Sequence, residues 1–168
     1  MKKQIYFRNM FPDYEPPEEV EALFSQAVIE AADLDPLMGW VIVAIHSPRY
    51  IPTRFLDQAA HQIGKIYGLK HMELTATFPE TELQKMETGD LMRLFVAENS
   101  MLRATLAGAR WEWYGTDLTI YLRANGKKAV EEAIPKVEHT LREWFAAPVN
   151  ILVQAGENLE GAALFEAV

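Results

Sequence analysis

A chain of 168 residues, 49% of them apolar and with a mean hydropathy of −0.09, can bury one large core or two small ones, which excludes a disordered segment. Its formal charge of −8, from 24 acidic and 16 basic residues, argues against a free-standing nucleic-acid binder, whose affinity rests on basic contacts to phosphate. With no cysteine there is no disulfide framework and no thiolate metal site, and no apolar run approaches the roughly 20 residues of a membrane span. The expectation is a cytoplasmic protein with no membrane partner.

Residues 1–17 read as a flexible lead-in, because Pro12, Pro16 and Pro17 prevent a regular helix. Pro17 then suits the first turn of a helix over "PPEEVEALFSQ", with Glu18, Glu19 and Glu21 near its positive end. "AVIEAADLD" extends as a strand, "DPLMG" turns, and "WVIVAIHS" is a strand rich in β-branched residues. "IPTRFLDQAAHQIGKIYG" is a helix: Phe55, Leu56, Ala59, Ile63, Ile66 and Tyr67 recur at spacings of three and four, and Gly68 caps its end. "LKHMELTATF" returns as a strand.

The second half repeats this order. Residues 81–97 predict a helix, interrupted at "ETGD", and "SMLRATLAGA" a short one capped by Asn99 or Ser100. "RWEWY" and "DLTIYLR" form a hairpin about Gly115. A helix follows from about Gly126 to Phe145, kinked or broken early by Pro135, and "PVNILVQA" closes as a strand. The layout predicts an α+β fold of two small modules, over 18–79 and 80–156. Each is helix, strand, strand, helix, strand, with the last strand brought back into the sheet, and 157–168 is a linker or tail.

Alternation in the hairpin places Trp111 and Trp113 on one side with Leu118, Ile120 and Leu122, where helices would cover them as core. Tyr114 and Tyr121 take the open side. Aromatic residues there could stack on bases, and Arg123, Lys127 and Lys128 are the nearest basic cluster, so these five are the candidate nucleic-acid or partner contacts. Phosphate-binding glycine loops, a nucleophile elbow and a cysteine nucleophile are all missing, so no catalytic residue and no cofactor is assigned. His46, His61, His71 and His139 lack the helical pairing of metal ligands. "DLDP" puts Asp33 and Asp35 on one strand face, the basis of an alternative as a small metal-dependent enzyme, but Glu30 is expected on the opposite face.

The run "SMLRATLAGARWEWYGTDLTIYLRANGKKAVEEAI" resembles the N-terminal region of PolC-type DNA polymerase III of low-GC Gram-positive bacteria. Ser100, Leu106, Gly115, Leu118, Ile120, Leu122 and Asn125 fill its pattern, with Met101 in place of the usual proline and Arg123-Ala124 in place of a small polar or proline pair. "AVIEAADLDPLMGWVIVAIHSPRYIPTRFLDQAAHQIGKIYG" is similar to the first module of that region, with Trp40 at its tryptophan. The likeness covers residues from about 20 to 155. The second module is also similar to the polymerase-binding domain of the clamp-loader tau subunit, a degenerate KH-like fold, although "NGKKA" lacks the second glycine of a nucleic-acid-clamping loop. The resemblance implies a non-catalytic module of the replisome whose parent is a DNA-directed DNA polymerase with a 3′–5′ exonuclease. Its implied partners are the tau subunit or other parts of the polymerase. Weak single-stranded DNA binding is the alternative, and the ending "EGAALFEAV" fits a linker before an oligonucleotide-binding domain.

Overall fold

The computed structural model describes residues 4–123 and 125–155. The expected tail 157–168 lies outside them. The chain divides into two compact units, Met1–Lys85 and Met86–Val168. Each is an α+β module built on a three-stranded sheet, as the two-module reading expects.

In the first unit, α1 (Phe7–Met10) and α2 (Glu18–Phe24) precede strands β1 (Val28–Asp35) and β2 (Trp40–His46). Helix α3 (Thr53–Ile66) then leads to β3 (His71–Thr77). The sheet order is β1-β2-β3, with β2 antiparallel to β1 and parallel to β3. Along β2 the alternation works as two-residue geometry demands: Val41, Val43 and Ile45 are buried, while Trp40, Ile42, Ala44 and His46 take the other face. Helix α3 presents Leu56, Ala59, Ala60 and Ile63 as the buried stripe opposite. Each fully buried aliphatic side chain of this core contributes roughly 1.5–3 kcal/mol.

The reading of residues 1–17 as a flexible lead-in is corrected. Phe7, Phe11 and Tyr14 are buried, with Phe7 stacked on Phe24 at 4.9 Å between ring centroids. Tyr6 bridges Val28, and Phe7 N–H donates to Ala27 O at 2.9 Å. The prolines do exclude a long helix, but aromatic burial outweighs the entropy of ordering this segment.

The boundary expected at residue 80 moves for a similar reason. Residues 80–85 form a 3₁₀ helix, Glu80–Lys85, belonging to the first unit. Leu83 is buried, and Glu82 accepts from the Tyr50 N–H at 2.8 Å and from Lys85 Nζ at 2.8 Å. Burial alone pushes the Glu82 carboxyl up. The two hydrogen bonds, with the charges of Lys85 and Arg49, outweigh it and hold the group below its usual value. The interruption expected at "ETGD" within 81–97 is present: the segment is a 3₁₀ helix and an α-helix from Thr88, parted at Met86 and Glu87.

The second unit runs α4 (Thr88–Glu98), α5 (Leu102–Thr105), β4 (Arg110–Tyr114), β5 (Asp117–Tyr121), α6 (Lys127–Phe145) and β6 (Asn150–Gln154). Its sheet order is β4-β5-β6, with β5 antiparallel to β4 and parallel to β6, the arrangement of the first unit again. Leu118 and Ile120 form its centre under Val130, Val137, Leu141 and Phe145 of α6. Glu138 of α6 accepts from the Ile151 N–H at 2.8 Å, and Arg142 Nε donates to Val149 O at 2.9 Å, tying the helix to β6. Helix α6 does not break at Pro135. That residue is exposed, so the carbonyl it leaves unpaired can turn to water while the buried stripe holds both halves of the helix.

Candidate functional site

In each unit one side of the sheet carries the core and the other does not, so the candidate surfaces are the two open sides. On the second unit, register assigns nine residues to that side. Arg110, Glu112 and Tyr114 come from β4, Asp117, Thr119 and Tyr121 from β5, and Asn150, Leu152 and Gln154 from β6. Their polar groups engage one another. Tyr114 donates its hydroxyl to Glu112 Oε2 at 2.5 Å, and Arg110 Nε lies 3.1 Å from Glu112 Oε1. The Arg110 guanidinium sits 4.3 Å from the centre of the Tyr121 ring, a cation–π contact. Asn150 Nδ2 donates to Asp117 Oδ1 at 3.3 Å. The hydrogen bond to Glu112 and that carboxylate's charge together push the Tyr114 hydroxyl up to about 12, so it is a donor at neutral pH. Tyr114 and Leu152 are its exposed large apolar members, at 60% and 56% exposure.

The structure thus brings Tyr114 and Tyr121 to one face, as expected. Arg123 lies beyond the end of β5 with its stem against Gly108, and Lys127 and Lys128 are exposed on the first turn of α6. None of the three lies on a strand of the sheet. Trp111 and Trp113 are on the helix side, paired with Ile120 and Leu118, and Trp111 meets Phe95 at 6.0 Å. Both are half-buried, because β4 is an edge strand and the helices overhang it incompletely.

On the first unit the open side carries Trp40, Ile42, Ala44 and His46 from β2. Asp33 and Asp35 flank them on β1 and His71, Glu73 and Thr77 on β3. Asp33 and Asp35 share this face, as the alternation requires. Glu30 was expected opposite, and that is corrected: a bulge between Ile29 and Ala31 turns it onto the same side. There the Thr77 hydroxyl donates to Glu30 Oε1 at 2.8 Å, and His46 Nδ1 lies 2.9 Å from Thr77 Oγ1. With its one proton on the bond to Glu30, Thr77 can only accept from His46, so Nδ1 carries hydrogen. Sequence reasoning missed this Glu30–Thr77–His46 cluster, which a bulge and a cross-sheet neighbour create. Asp35 is engaged in its turn, Oδ1 accepting from the Met38 N–H at 3.1 Å. Among the described residues no three His, Asp or Glu side chains converge as a metal site, and no helix is long and apolar enough to cross a membrane.

Comparison with known proteins gives little. No family model matches the chain, and no curated protein matches it. One solved structure, described as the crystal structure of APE1850, is similar at 8% identity over 81% of this chain and 93% of that one, with a TM-score of 0.26. A likeness that slight carries no argument about fold or function.

Proposed function

We propose that this chain is a non-catalytic interaction module, the N-terminal portion of a PolC-type DNA polymerase III in the cytoplasm, docking another replisome protein. The observation that carries the reading is the open face of the second unit. Its one cation, Arg110, is paired with Glu112 and stacked on Tyr121, Asp117 leaves the face with a net negative charge, and its exposed large apolar members are a tyrosine and a leucine. Such a mixed, mildly acidic surface suits a protein partner better than a phosphate backbone, whose affinity rests on basic contacts. Nucleotidyl transfer and 3′–5′ exonuclease activity would belong to the parent polymerase outside this segment. The sequence pattern about Trp40 and the repeated module layout point to the same parent.

Calorimetric titration of the chain with purified clamp-loader tau subunit tests the proposal. Saturable binding is expected, weakened about tenfold, or 1.4 kcal/mol, by Leu152→Glu and by Tyr114→Ala. No heat, or affinity indifferent to both substitutions, counts against this face. Anisotropy of a labelled single-stranded oligonucleotide addresses the nucleic-acid alternative: binding that falls steeply with salt and is lost in Tyr121→Ala would replace the present reading.

A further inference from the structure

The outer edge of β1 is unlike the other features of the first unit. It is an eight-residue strand at the sheet margin, and its residues from Glu30 onward are exposed. Gly39 O accepts from the N–H groups of Lys70 and His71, so on β2 the main-chain groups of residues 39, 41 and 43 face β3. Their partners on β1, Leu34 and Ala32, therefore turn their own N–H and C=O groups outward. Among the described residues no strand pairs with β1 at those positions. At the start of the same edge the chain pairs with itself: Tyr6 bridges Val28 in antiparallel sense, and Ile29 N–H donates to Ile5 O at 2.7 Å. The edge is therefore competent to accept a strand.

Beside its free part lies an apolar cluster. Leu34, Leu37, Met38 and Trp40 are 58%, 95%, 52% and 45% exposed, and a groove runs between Leu34, Leu37, Trp40 and Ile42. Asp33 borders that groove and has no hydrogen bond or ion pair within the described residues. Exposed apolar side chains next to an unpaired strand edge are a liability unless something covers them.

We infer that the β1 edge, from Ala31 to Asp35, is a docking strand for an extended segment of a partner protein in which basic and apolar residues alternate. The added strand would take the outward groups of Ala32 and Leu34 into a fourth ladder. Its basic residues would face Asp33 on the open side and its apolar ones would meet Leu34 and Leu37. Charge decides against the other occupants. A second copy would set aspartates against aspartates, which destabilises a strand pair, and the same carboxylates repel a nucleic acid. Only the first unit is involved, so loss of tau binding through the second unit would leave this docking strand standing.

The test uses the full chain and a fluorescein-labelled synthetic peptide of alternating valine and lysine. Two controls accompany it, a peptide of the same composition in blocks and one with glutamate for lysine. The alternating peptide should bind about tenfold more tightly than either control. Asp33→Lys should reverse the preference toward the glutamate peptide. Ala32→Pro, which removes an outward N–H at an exposed edge position, should abolish binding while leaving the circular dichroism and melting temperature near those of the parent. Should Ala32→Pro unfold the unit, the charge reversal in Asp33→Lys decides the matter alone. Equal binding of all three peptides, unchanged preference in Asp33→Lys, or sedimentation showing dimers of the chain that Asp33→Lys disrupts would each overturn the inference.

Discussion

Glu112 illustrates how one side chain can set the character of a surface. It lies between Arg110 and Tyr114 on β4, receiving a hydrogen bond from the tyrosine and pairing with the guanidinium. The fold favours the protonated form of Tyr114, whose hydroxyl is pushed up to about 12 from the ordinary 10.0. The sign follows: whatever this bond contributes to stability is fully present below about pH 10 and is lost as pH rises through about 12. Glu112→Gln removes the charge that opposes the phenolate. Its ultraviolet titration, taken as a difference against Tyr114→Phe, should show Tyr114 ionising nearer the ordinary value, and an unmoved curve would contradict the arrangement. The pairing was legible in part. Alternation in "RWEWY" already puts Glu112 and Tyr114 on one side, but Arg110 stacking on Tyr121 depends on strand register, which local spacing does not encode. Glu30 was illegible for a related reason, since a bulge changes sides without changing the amino-acid pattern.

At the level of elements, α6 is the informative case. Pro135 in "AVEEAIPKVEHT" is a helix-breaking signal, yet the helix runs from Lys127 to Phe145. Val130, Ala133, Val137, Leu141 and Phe145 are buried along one stripe, and their burial exceeds the roughly 3 kcal/mol that an interior proline costs. Pro135 itself is exposed, so replacement by alanine removes the cost without opening a cavity. Pro135→Ala should therefore stabilise the second unit by about 1–3 kcal/mol in urea denaturation with an unchanged slope. A lower midpoint would mean that the proline serves a local geometry the helix needs. At residues 81–97 the local signal holds: the break expected at "ETGD" falls at Met86 and Glu87, and on its N-terminal side Glu82 accepts from the main-chain N–H of Tyr50, far along the chain.

Across the whole molecule, the repeat is the governing feature. Both units pair an antiparallel hairpin with a parallel third strand and cover one side with helices. Each has its own core, with Val43, Ile45 and Ile63 in one and Leu118, Ile120 and Phe145 in the other. Residues 1–85 and 86–168 made as separate chains should each unfold cooperatively in thermal melts followed by circular dichroism. A unit that melts without a transition when alone would show that its core is incomplete.

Legible from local spacing were the main strands and helices in their order and the buried side of the hairpin formed by β4 and β5. Period-two and period-3.6 spacing is a direct consequence of backbone geometry, so residues 117–121 declare their face locally, whereas the spacing over 53–66 finds Leu56, Ala59 and Ile63 but also names Ile66 and Tyr67, which are exposed. Tertiary contacts were needed to show that Phe7, Phe11 and Tyr14 join the core, that Glu30 meets Thr77 and His46, and that β1 from Ala31 onward has no outer partner strand among the described residues. Those outcomes depend on which distant groups meet, and the energy of meeting is carried by pairs of residues far apart in the chain, where no spacing rule reaches.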